Sequence, residues 1–456
     1  MYVLYWMIGA RRTRQNPALA RAAALARARR QPLVVLEALG ADPPWATPRV
    51  HRFVIDGMLE NAATLRAAGA VAYPYLERVP GEGKGLVDAL AAGASAVVTD
   101  LTPILHLGKL VASVARRFPV EVVDGNGLLP LAEGGAFSTA HAFRRHLQKT
   151  LPAHLVAPRD ADALRDLPPP VALPAAVLAR WPMLREMPDL GTFPALDRRV
   201  TPVADVGGPR EGARRLREFV RHGLGRYADR NDPDADATSG LAPYLHFGHV
   251  GAWEVFDAVA AAEGWTPARL APKPTGSREG WWGMSAGAEG FLDQVLTWRE
   301  LGFQYCHHRP DYADYATLPE WALASLDRHR ADPRPHTYTL DELTNAATHD
   351  EVWNAAQRQL VAEGRIHNYL RMLWAKRVME WTDRPETAWD WLIELNNRWA
   401  LDGRDPNSYT GIAWSFGRFD RPWGPERPVY GTVRYMSSAR TVEKLEMAEY
   451  LRRWSS

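Results

Sequence analysis

The chain is poor in cysteine, with a single residue, Cys306, among 456. One cysteine excludes a disulfide framework and a zinc site built from several thiolates, and it is typical of a protein in a reducing compartment. No apolar run approaches the ~20 residues that a membrane span needs. The start, MYVLYWMIGARR, has no basic leader before its apolar stretch, so it predicts a strand and not a signal peptide. We therefore expect a cytoplasmic protein without a membrane segment.

The chain also lacks the short motifs of several common enzyme classes. It contains no HExxH, no Walker loop and no GxSxG, and the adjacent His307 and His308 would point to different faces of a helix. No GxGxxG follows the first apolar run, where WMIGARR offers one glycine. The sequence therefore predicts no metal site, no classical hydrolase constellation and no dinucleotide dehydrogenase.

Tryptophan, in contrast, is abundant. The chain has 18 tryptophans, of which 15 follow residue 200, so its two parts differ in character. Charged residues make up 24 % of the chain and hydrophobic residues 46 %, which is ordinary for a globular protein. A formal net charge of +2 neither favours nor excludes a nucleic-acid partner.

The first 130 residues alternate short apolar runs with amphipathic segments. The runs predict strands at 3–7, 33–39, 70–76, 95–101 and 120–125, and the segments predict helices at 17–30, 51–68, 84–93 and 106–117. This alternation implies right-handed crossovers and a five-stranded, parallel, doubly wound sheet of Rossmann-like class. Such sheets bind ligands, often nucleotide-like ones, at the carboxyl ends of their strands.

The remainder of the chain has a helical rhythm. Residues 126–205 are rich in Pro, Ala and Arg and predict a long surface connection. Further helices are predicted at 209–226, 251–262, 288–308, 318–331, 351–362, 365–382 and 386–399, with a Gly- and Pro-rich loop at 263–290. We therefore expect an α/β domain over 1–130, a linker over 131–205 and an all-α domain over 206–456.

Several stretches of the helical part carry candidate functional residues. In TSGLAPYLHFGHV, Thr238 and Ser239 could cap a helix or hold a phosphate. Gln294 and Trp298 lie one turn apart on a predicted helix, where they could read and stack on a base or belong to the scaffold.

Aromatic rings and charges recur further along. Trp374 and Trp381 share one face of a predicted helix, and with Trp353 they indicate either core packing or a redox chain. Asp402, in a turn-rich loop, could stabilise a turn or pair with Arg371. The run TGIAWSFGRFDRPWGPERPVYGTVRYM interleaves rings with arginines, which is typical of a loop over a core or of a surface for flat bases and phosphates.

These stretches occur in the order found in one family. The chain resembles the photolyase/cryptochrome flavoproteins, and most closely the class II cyclobutane pyrimidine dimer photolyases. The resemblance covers nearly the whole length and is most specific in SGLAPYLHFG, THDEVWNAAQRQLVAEGRIHNYLRMLWAKRVMEW and LDGRDPNSYTGIAWS. It implies an α/β antenna domain and a helical domain that holds FAD. It further implies a cytoplasmic, nucleoid-associated monomer that repairs a flipped dimer in UV-damaged DNA with an electron from light-excited FADH⁻.

The resemblance assigns roles in FAD binding to individual residues. Contacts to the phosphates and the ribityl chain are implied for Tyr227 and for a run of six residues: Thr238, Ser239, Gly240, Leu241, Ala242 and Pro243. Arg371 and Asp402 resemble the pair that flanks the isoalloxazine ring, and Asn396 would lie nearby.

The resemblance also implies an electron chain and a dimer-binding site. Trp374 would be its proximal member, Trp353 its distal member nearer solvent, and Trp381 would lie against the flavin. Trp298 and Trp414 match the two rings that grip the flipped dimer, beside Gln294. The further substrate and DNA contacts expected are Asn368, Met372, Arg418, Arg421 and Arg427.

Two departures from the family pattern qualify this function. Gln294 stands where the family usually carries an acidic residue, and glutamine can bond a thymine but cannot carry a charge. Glutamine occurs here in (6-4) photolyases and some cryptochromes, so we expect slower dimer repair or an altered lesion preference. The second departure is the loop 263–290, which is longer than the family requires and could contact DNA or only cover the surface.

Other readings remain open. A cryptochrome-like photoreceptor would share the fold and FAD, but the chain stops soon after VRYMS and carries both dimer-stacking rings, which favours repair. An ordinary flavin oxidoreductase is disfavoured because no pyridine-nucleotide fingerprint is present. A deazaflavin antenna is preferred to a folate, although Gln15 replaces the family's Asp in that region. Trp423 receives no role.

Overall fold

A parallel sheet lies at the core of the N-terminal part of the chain. The computed structural model describes residues 1–156 and 162–455. Its strands are β1 (Tyr2–Met7), β2 (Leu33–Leu39), β3 (Val71–Leu76), β4 (Ala94–Asp100) and β5 (Val120–Val123). They are arranged in the order β3-β2-β1-β4-β5, and in register Leu4 of β1 pairs with Val34 and with Val97. The doubly wound sheet expected from the sequence is confirmed, with every strand within two residues of its predicted bounds.

Helices cover both faces of this sheet. Every residue of β1 is buried; Tyr5 packs with Leu19 and Leu65 on one face, and Trp6 with Leu90 and other apolar side chains on the opposite face. A strand that is buried on both sides needs apolar residues at every position, not at alternate ones. This requirement explains why the strands could be recognised as short continuous apolar runs.

The helices between the strands have clear sequence starts. They are α1 (Pro17–Arg29), α2 (Pro48–Ala67), α3 (Leu86–Ala92) and α4 (Leu105–Ala115). Asn16 caps α1 by accepting a hydrogen bond from the Leu19 N–H at 2.9 Å, and Thr47 caps α2 through the Val50 N–H at 3.3 Å. A proline follows each cap, where its fixed φ and missing N–H suit the first helical turn.

The loop after β1 is held by a side chain of β4. Asp100 accepts hydrogen bonds at 2.8–3.2 Å from three successive backbone N–H groups, those of Ile8, Gly9 and Ala10. Its other oxygen accepts the Tyr5 hydroxyl at 2.7 Å. In dinucleotide-binding sheets such N–H groups bind a phosphate. Here a carboxylate of the chain itself occupies them, in keeping with the missing GxGxxG.

The stretch 126–205 contains more regular structure than the predicted connection. Three α-helices lie in its described part: α5 (Ala140–Thr150), α6 (Pro152–Leu155) and α7 (Ala175–Arg180). Residues 157–161 of the predicted linker lie outside the described residues. Helix α5 buries Phe143 and Leu147, four residues apart, and the Thr139 hydroxyl accepts from the Ala142 N–H at 3.1 Å at its start. The prolines on either side of α5 obscured this short periodic segment.

The later chain is helical, as predicted, and no strand occurs after β5 in the described residues. Its helices are α8 (Pro209–Glu218), α9 (Ala242–His246), α10 (Ala252–Ala262), α11 (Ala286–Leu292), α12 (Arg299–His308), α13 (Glu320–Arg328), α14 (Leu340–Thr344), α15 (Glu351–Glu363), α16 (Asn368–Trp381), α17 (Pro385–Trp399), α18 (Pro406–Ser415), α19 (Ser438–Lys444) and α20 (Ala448–Trp454). Two π-helical segments, Phe219–Gly223 and Asp293–Trp298, interrupt the helices predicted at 209–226 and 288–308. None of the helices described is both long and apolar enough to cross a membrane.

The chain folds into two compact units. The sheet unit comprises Met1–Gly134, Leu151–Val220 and Ser239–Pro267, and the helical unit comprises Gly135–Thr150, Arg221–Thr238 and Ala268–Ser456. Each unit therefore takes three separate stretches of chain. The domain boundaries expected at residues 130 and 205 stay a prediction.

Asp100→Ala is expected to lower the free energy of unfolding by about 3–5 kcal/mol, because three N–H groups and a phenol lose their buried acceptor. Urea unfolding followed by circular dichroism measures the change. Asp88→Ala is the matched control, since Asp88 forms an exposed ion pair with Arg117 at 2.7 Å. Its loss is expected to cost less than about 1 kcal/mol. Equal effects of the two substitutions would contradict a structural role for the Asp100 cradle.

Candidate active site

An ion pair joins helix α16 to the loop after α17. The Arg371 guanidinium forms a fork with Asp402, with Nη1 3.2 Å from Oδ2 and Nη2 3.1 Å from Oδ1. The side chains are 28 % and 17 % exposed, so the pair is partly accessible and does not lie in the core. The pairing considered from the sequence is confirmed. Its two-point geometry fixes the orientation of both groups toward anything that binds beside them.

The loop that carries Asp402 is fastened to the end of α17. The Arg404 N–H donates to Asn397 Oδ1 at 2.8 Å, and the Arg404 guanidinium donates to the Ala400 and Leu401 carbonyls at 3.2 Å. These bonds satisfy carbonyls of the turn that follows α17 and hold that turn against the helix end. Asn396 lies in the same turn, is buried, and makes one long hydrogen bond, 3.4 Å, from Nδ2 to Asn397. Its amide therefore retains bonding capacity for a ligand.

Three buried indoles form a continuous series, which we call the indole column (Trp374, Trp353 and Trp381). The rings of Trp353 and Trp374 are 6.3 Å apart between centroids with planes 5° apart, and those of Trp353 and Trp381 are 5.5 Å apart at 71°. All three are at most 2 % exposed. Helix α15 supplies the middle ring and α16 the two outer ones.

The order of these rings corrects one expectation. Trp353 was expected to be the distal ring nearer solvent, which is wrong, because it is fully buried and lies between the other two. Trp381 instead contacts half-buried Tyr338 and exposed His349, at 5.3 and 5.5 Å. The expectation depended on which helix is nearer the surface, and the packing of α15 on α16 decides this. The predicted position of Trp381 against the flavin stays a prediction that this placement does not favour.

Both ring N–H groups at the inner end of the column are bonded. Trp353 Nε1 donates to the Trp374 carbonyl at 3.0 Å, and Trp374 Nε1 donates to the Gln357 side-chain oxygen at 3.0 Å. Neither acceptor is a base at ordinary pH. These rings are therefore held in fixed orientations without a group that would take their proton.

Gln294 and Trp298 are the accessible residues of the π-helical segment Asp293–Trp298. Both are half-buried, whereas the residues between them are buried. Isolated π-helical turns are rare and occur frequently at functional sites. The segment thus offers a hydrogen-bonding amide and a broad ring from one otherwise buried wall, and their role in reading a base stays a prediction.

This wall is tied to helix α5 and to the loop 263–290. Arg144 forms a buried ion pair with Asp293, with oxygens 2.7 and 3.1 Å away, and donates to the Gly276 carbonyl at 3.2 Å. Gln148 accepts the Gly276 N–H at 2.7 Å. Gly276 has φ +77°, and a Cβ there would lie 2.8 Å from a ring nitrogen of His141. The part of the loop 263–290 around Gly276 thus has a structural role. The sequence did not reveal this role, because helix α5 was not predicted.

Trp414, the second ring assigned to dimer binding, is half-buried on α18 above a buried amine. Lys376 Nζ lies 5.7 Å from its ring centre and donates to the Ser415 carbonyl. The pKa of Lys376 is lowered from its ordinary 10.5 to about 7, mainly by burial and also by nearby Arg434, while Asp420 opposes the shift. Nothing in the local sequence distinguishes Lys376 from the half-buried Arg371 and Arg377 of the same helix, so sequence reasoning missed it.

Trp423, which received no role from the sequence, belongs to the same cluster. The Arg434 guanidinium lies 4.0 Å from the Trp423 ring centre and 5.5 Å from that of Trp414. Asp420 binds Arg434 Nε at 2.9 Å and the Trp423 ring N–H at 3.2 Å. We call these residues the arginine bracket (Trp423, Arg434 and Asp420). It orders a loop that proline and glycine keep from forming regular structure.

The remaining candidates occupy varied positions. Arg418 is half-buried over Tyr305 at 5.1 Å, and burial lowers its pKa. Arg421 is exposed and stacks on Trp423 at 4.9 Å, and Arg427 stacks on Tyr435 at 4.9 Å. The roles assigned to these arginines stay predictions.

Two of the residues predicted to contact substrate lie on α16, and the residues predicted to contact the cofactor phosphates lie earlier in the sequence. Asn368 is exposed and Met372 half-buried on α16. Tyr227 is buried with its ring edge-on to Phe291 at 5.2 Å. Thr238 is exposed in the helical unit, and the following run, Ser239, Gly240, Leu241, Ala242 and Pro243, belongs to the sheet unit and leads into α9. The Ser239 hydroxyl accepts the Leu241 N–H at 3.3 Å. The described residues contain no group of three or more His, Cys, Asp or Glu side chains arranged for a metal ion.

The fold places the chain in one structural class. A bacterial class III photolyase from Agrobacterium tumefaciens superposes with a TM-score of 0.70 at 19 % identity, over 99 % of this chain and 86 % of that one. A cryptochrome from Synechocystis superposes with a TM-score of 0.72 at 14 % identity, over 99 % and 88 %. The architecture of a sheet unit and a helical unit is therefore that of the photolyase/cryptochrome flavoproteins, as expected.

Sequence similarity narrows this class. A deoxyribodipyrimidine photo-lyase of Methanothermobacter thermautotrophicus is 33 % identical over 99 % of this chain and 94 % of its own length. Those of Oryza sativa and Potorous tridactylus are 34 % and 31 % identical over 98 % and 99 % of this chain. No family model matches the sequence. The chain belongs to the deoxyribodipyrimidine photo-lyase family, which confirms the resemblance; the class II assignment stays a prediction.

Lys376→Met is expected to remove a pH dependence of stability. Between pH 7 and 10.5 the unfolded lysine binds a proton that the folded one does not, so stability rises with pH through this window and falls as pH drops toward 7. The slope is at most about 1.4 kcal/mol per pH unit. Unfolding by urea across the window, for Lys376→Met against the parent chain, measures it. Lys109→Met, at an exposed position, is the control and is expected to leave the slope unchanged.

Proposed function

We propose that this chain is a light-dependent DNA repair enzyme, a deoxyribodipyrimidine photo-lyase that splits cyclobutane pyrimidine dimers in UV-damaged DNA. The observation that carries the proposal is the indole column on the same helix as a partly exposed ion pair, in a chain whose full-length relatives bear this name. Buried, bonded rings in contact suit electron transfer and not acid–base chemistry. The missing hydrolase and metal motifs agree with such a reaction.

FAD is the cofactor that the family implies, and the helical unit has groups that suit it. Arg371 and Asp402 present a fixed cation and anion, and the buried Asn396 amide has bonding capacity left. Heterocyclic N–H and carbonyl groups of a flavin match this set of donors and acceptors. When bound, the reduced cofactor supplies under blue light the electron that opens the dimer. We assign Tyr227 to the same cofactor, and the run from Thr238 to Pro243 remains a predicted phosphate contact.

Trp298 and Trp414 would stack on a dimer that has left the duplex. A damaged pair of bases stacks poorly, so its extrusion costs less than the few kcal/mol of a normal base. Each ring contact with a base contributes roughly 1–3 kcal/mol. Gln294, from the same wall as Trp298, would donate to a pyrimidine carbonyl or accept from its N–H. Lys376 and the arginine bracket hold Trp414 in place for this contact.

Finer features of the function belong to the same proposal. We assign to the sheet unit a deazaflavin antenna in preference to a folate. We further propose that the chain is a monomer in the cytoplasm and associates with the nucleoid. The loop after β1 limits where an antenna chromophore could bind, because Asp100 already occupies the backbone N–H groups that a phosphate would use. A chromophore bound at this sheet edge would need other contacts.

A second candidate, a cryptochrome-like photoreceptor or a photolyase for (6-4) lesions, is favoured by one observation. Position 294 carries an amide, which cannot carry a negative charge or readily release a proton as a carboxyl group can. Lesion choice and repair rate therefore distinguish the candidates, since all of them share the fold and the cofactor.

The function is tested with the reduced, flavin-loaded full chain, blue light and oligonucleotides that carry a defined cyclobutane dimer. Restored pyrimidines are expected, and Trp298→Ala is expected to weaken dimer binding by about 5- to 150-fold, the range that the loss of one stacked ring gives. Trp454→Ala, at a half-buried ring on the last helix, is the control. Intact flavin photoreduction without any repair would overturn the proposal and favour the photoreceptor.

Gln294→Glu is expected to raise the yield of dimer repair, because a carboxyl group can supply a proton or a charge to the opening ring. Repair of cyclobutane and (6-4) oligonucleotides, compared at equal light dose, measures both yields. Gln148→Glu provides a glutamine on α5 for comparison, outside the half-buried wall of the site. Unchanged yields for both lesions in Gln294→Glu would remove the reason to assign Gln294 a role in lesion choice.

A further inference from the structure

Tyr338 is fastened to the outer ring of the indole column. Its ring lies edge-on to Trp381, 5.3 Å between centroids at 77°, and its backbone N–H donates to the Trp381 carbonyl at 3.3 Å. The side chain is half-buried, in contrast to the three rings of the column. Tyr338 is thus the next aromatic ring beyond Trp381 on the way to the surface.

The Tyr338 hydroxyl is set against a histidine. Its oxygen lies 2.5 Å from His349 Nδ1 and accepts the backbone N–H of His349 at 3.0 Å. With the backbone N–H already directed at the oxygen, the phenol proton is free to point at the imidazole nitrogen. This separation is within the reach needed for proton transfer to a general base.

His349 is kept in the form that accepts a proton. Although His349 is exposed overall, partial desolvation of its ring lowers its pKa below the usual 6.5, as does stacked His336, whose ring is 3.8 Å away. Arg377 on α16 lowers it further, while Asp350 at the start of α15 and Glu380 on α16 raise it. At neutral pH the imidazole is therefore uncharged, and one of its nitrogens can act as the acceptor.

The ring N–H groups of Trp353 and Trp374, further inside the column, do not face a comparable base. The ring N–H groups of Trp353 and Trp374 end on a carbonyl and an amide oxygen, which do not take up a proton. An oxidised indole held there keeps its positive charge. Along the path from Trp374 outward, Tyr338 is the first ring whose ionisable proton already faces a base.

We propose that Tyr338 and His349 end the electron chain as a proton-coupled pair. When oxidised FAD is bound and excited by light, it would supply the oxidant for the column, and the electron vacancy would then reach Trp381. Tyr338 then gives one electron to Trp381, and its phenol proton passes to His349 Nδ1. The products are neutral Trp381, a neutral tyrosyl radical and a protonated imidazole, so charge and atoms balance. A soluble reductant can then reduce the radical at the surface.

This inference rests on the proposed function, because it takes the column to be a path to the flavin. It concerns photoreduction of the cofactor and not the repair step, so the two can fail separately. A chain that repairs dimers with a chemically reduced flavin would still do so without Tyr338.

The experiment is flash photolysis of the flavin-loaded full chain, with transient absorption and electron paramagnetic resonance to identify the radical. A tyrosyl radical is expected in the parent chain and is expected to be absent in Tyr338→Phe, where the tryptophan radical decays back faster than the tyrosyl radical of the parent chain. His349→Phe is expected to lower the tyrosyl yield while the phenol remains. The yield should also fall as the pH drops below the pKa of His349, because a protonated imidazole cannot accept.

Tyr369→Phe is the matched control, since Tyr369 lies on α16 but packs near Lys444, with Nζ 5.2 Å from its ring centre. A second arm uses the flavin-free full chain and a soluble ruthenium photo-oxidant, which separates the relay from the cofactor. A tyrosyl radical lost only in Tyr338→Phe supports the relay even if the flavin assignment fails. Identical radicals in the parent chain and in Tyr338→Phe, in either arm, overturn it.

Discussion

The pitch of one helix, α16, constrains the candidate site more than any other element. Residues three or seven positions apart share a helical face, so Arg371, Trp374 and Trp381 lie along one side of its fourteen residues. Lys376 follows Trp374 by two residues, about 200° around the axis, and therefore reaches the opposite neighbour, α18. One helix thus positions an ion pair, two rings of the indole column and the amine beneath Trp414.

A helix that presents functional side chains on several sides must bury some of their polar atoms. The structure provides hydrogen-bond partners that offset the free energy of this burial. The amine of Lys376 is fully buried, but it donates to the Ser415 carbonyl and faces the Trp414 ring. The ring N–H of Trp374 has a side-chain acceptor in Gln357. An unbonded polar group in such surroundings would cost about 1–3 kcal/mol. These bonds therefore restrict each ring to one orientation, which a site that acts by position requires.

The sequence predicted what depends on local pattern and missed what depends on packing. Continuous apolar runs were sufficient for the sheet, and the spacing of Trp374 and Trp381 was sufficient for one face of α16. The order of the indole column was not predictable, because Trp353 reaches it from another helix. Helix α5 was hidden by flanking prolines. The arginine bracket joins residues up to 14 apart through a loop without periodicity, so no spacing rule could reveal it.

The distribution of bases around the rings determines in which direction positive charge would move along the indole column of the helical unit. Inside, each bonded indole meets only a carbonyl or an amide, so a positive charge created there moves but cannot be discharged by loss of a proton. At the outer end, Trp381 lies beside a phenol that is already bonded to an imidazole. Charge separated across such a series returns more slowly once the proton has moved, because both particles must go back together. The change from buried rings whose N–H groups meet no base to an outer ring beside a phenol bonded to an imidazole is what would direct the positive charge outward.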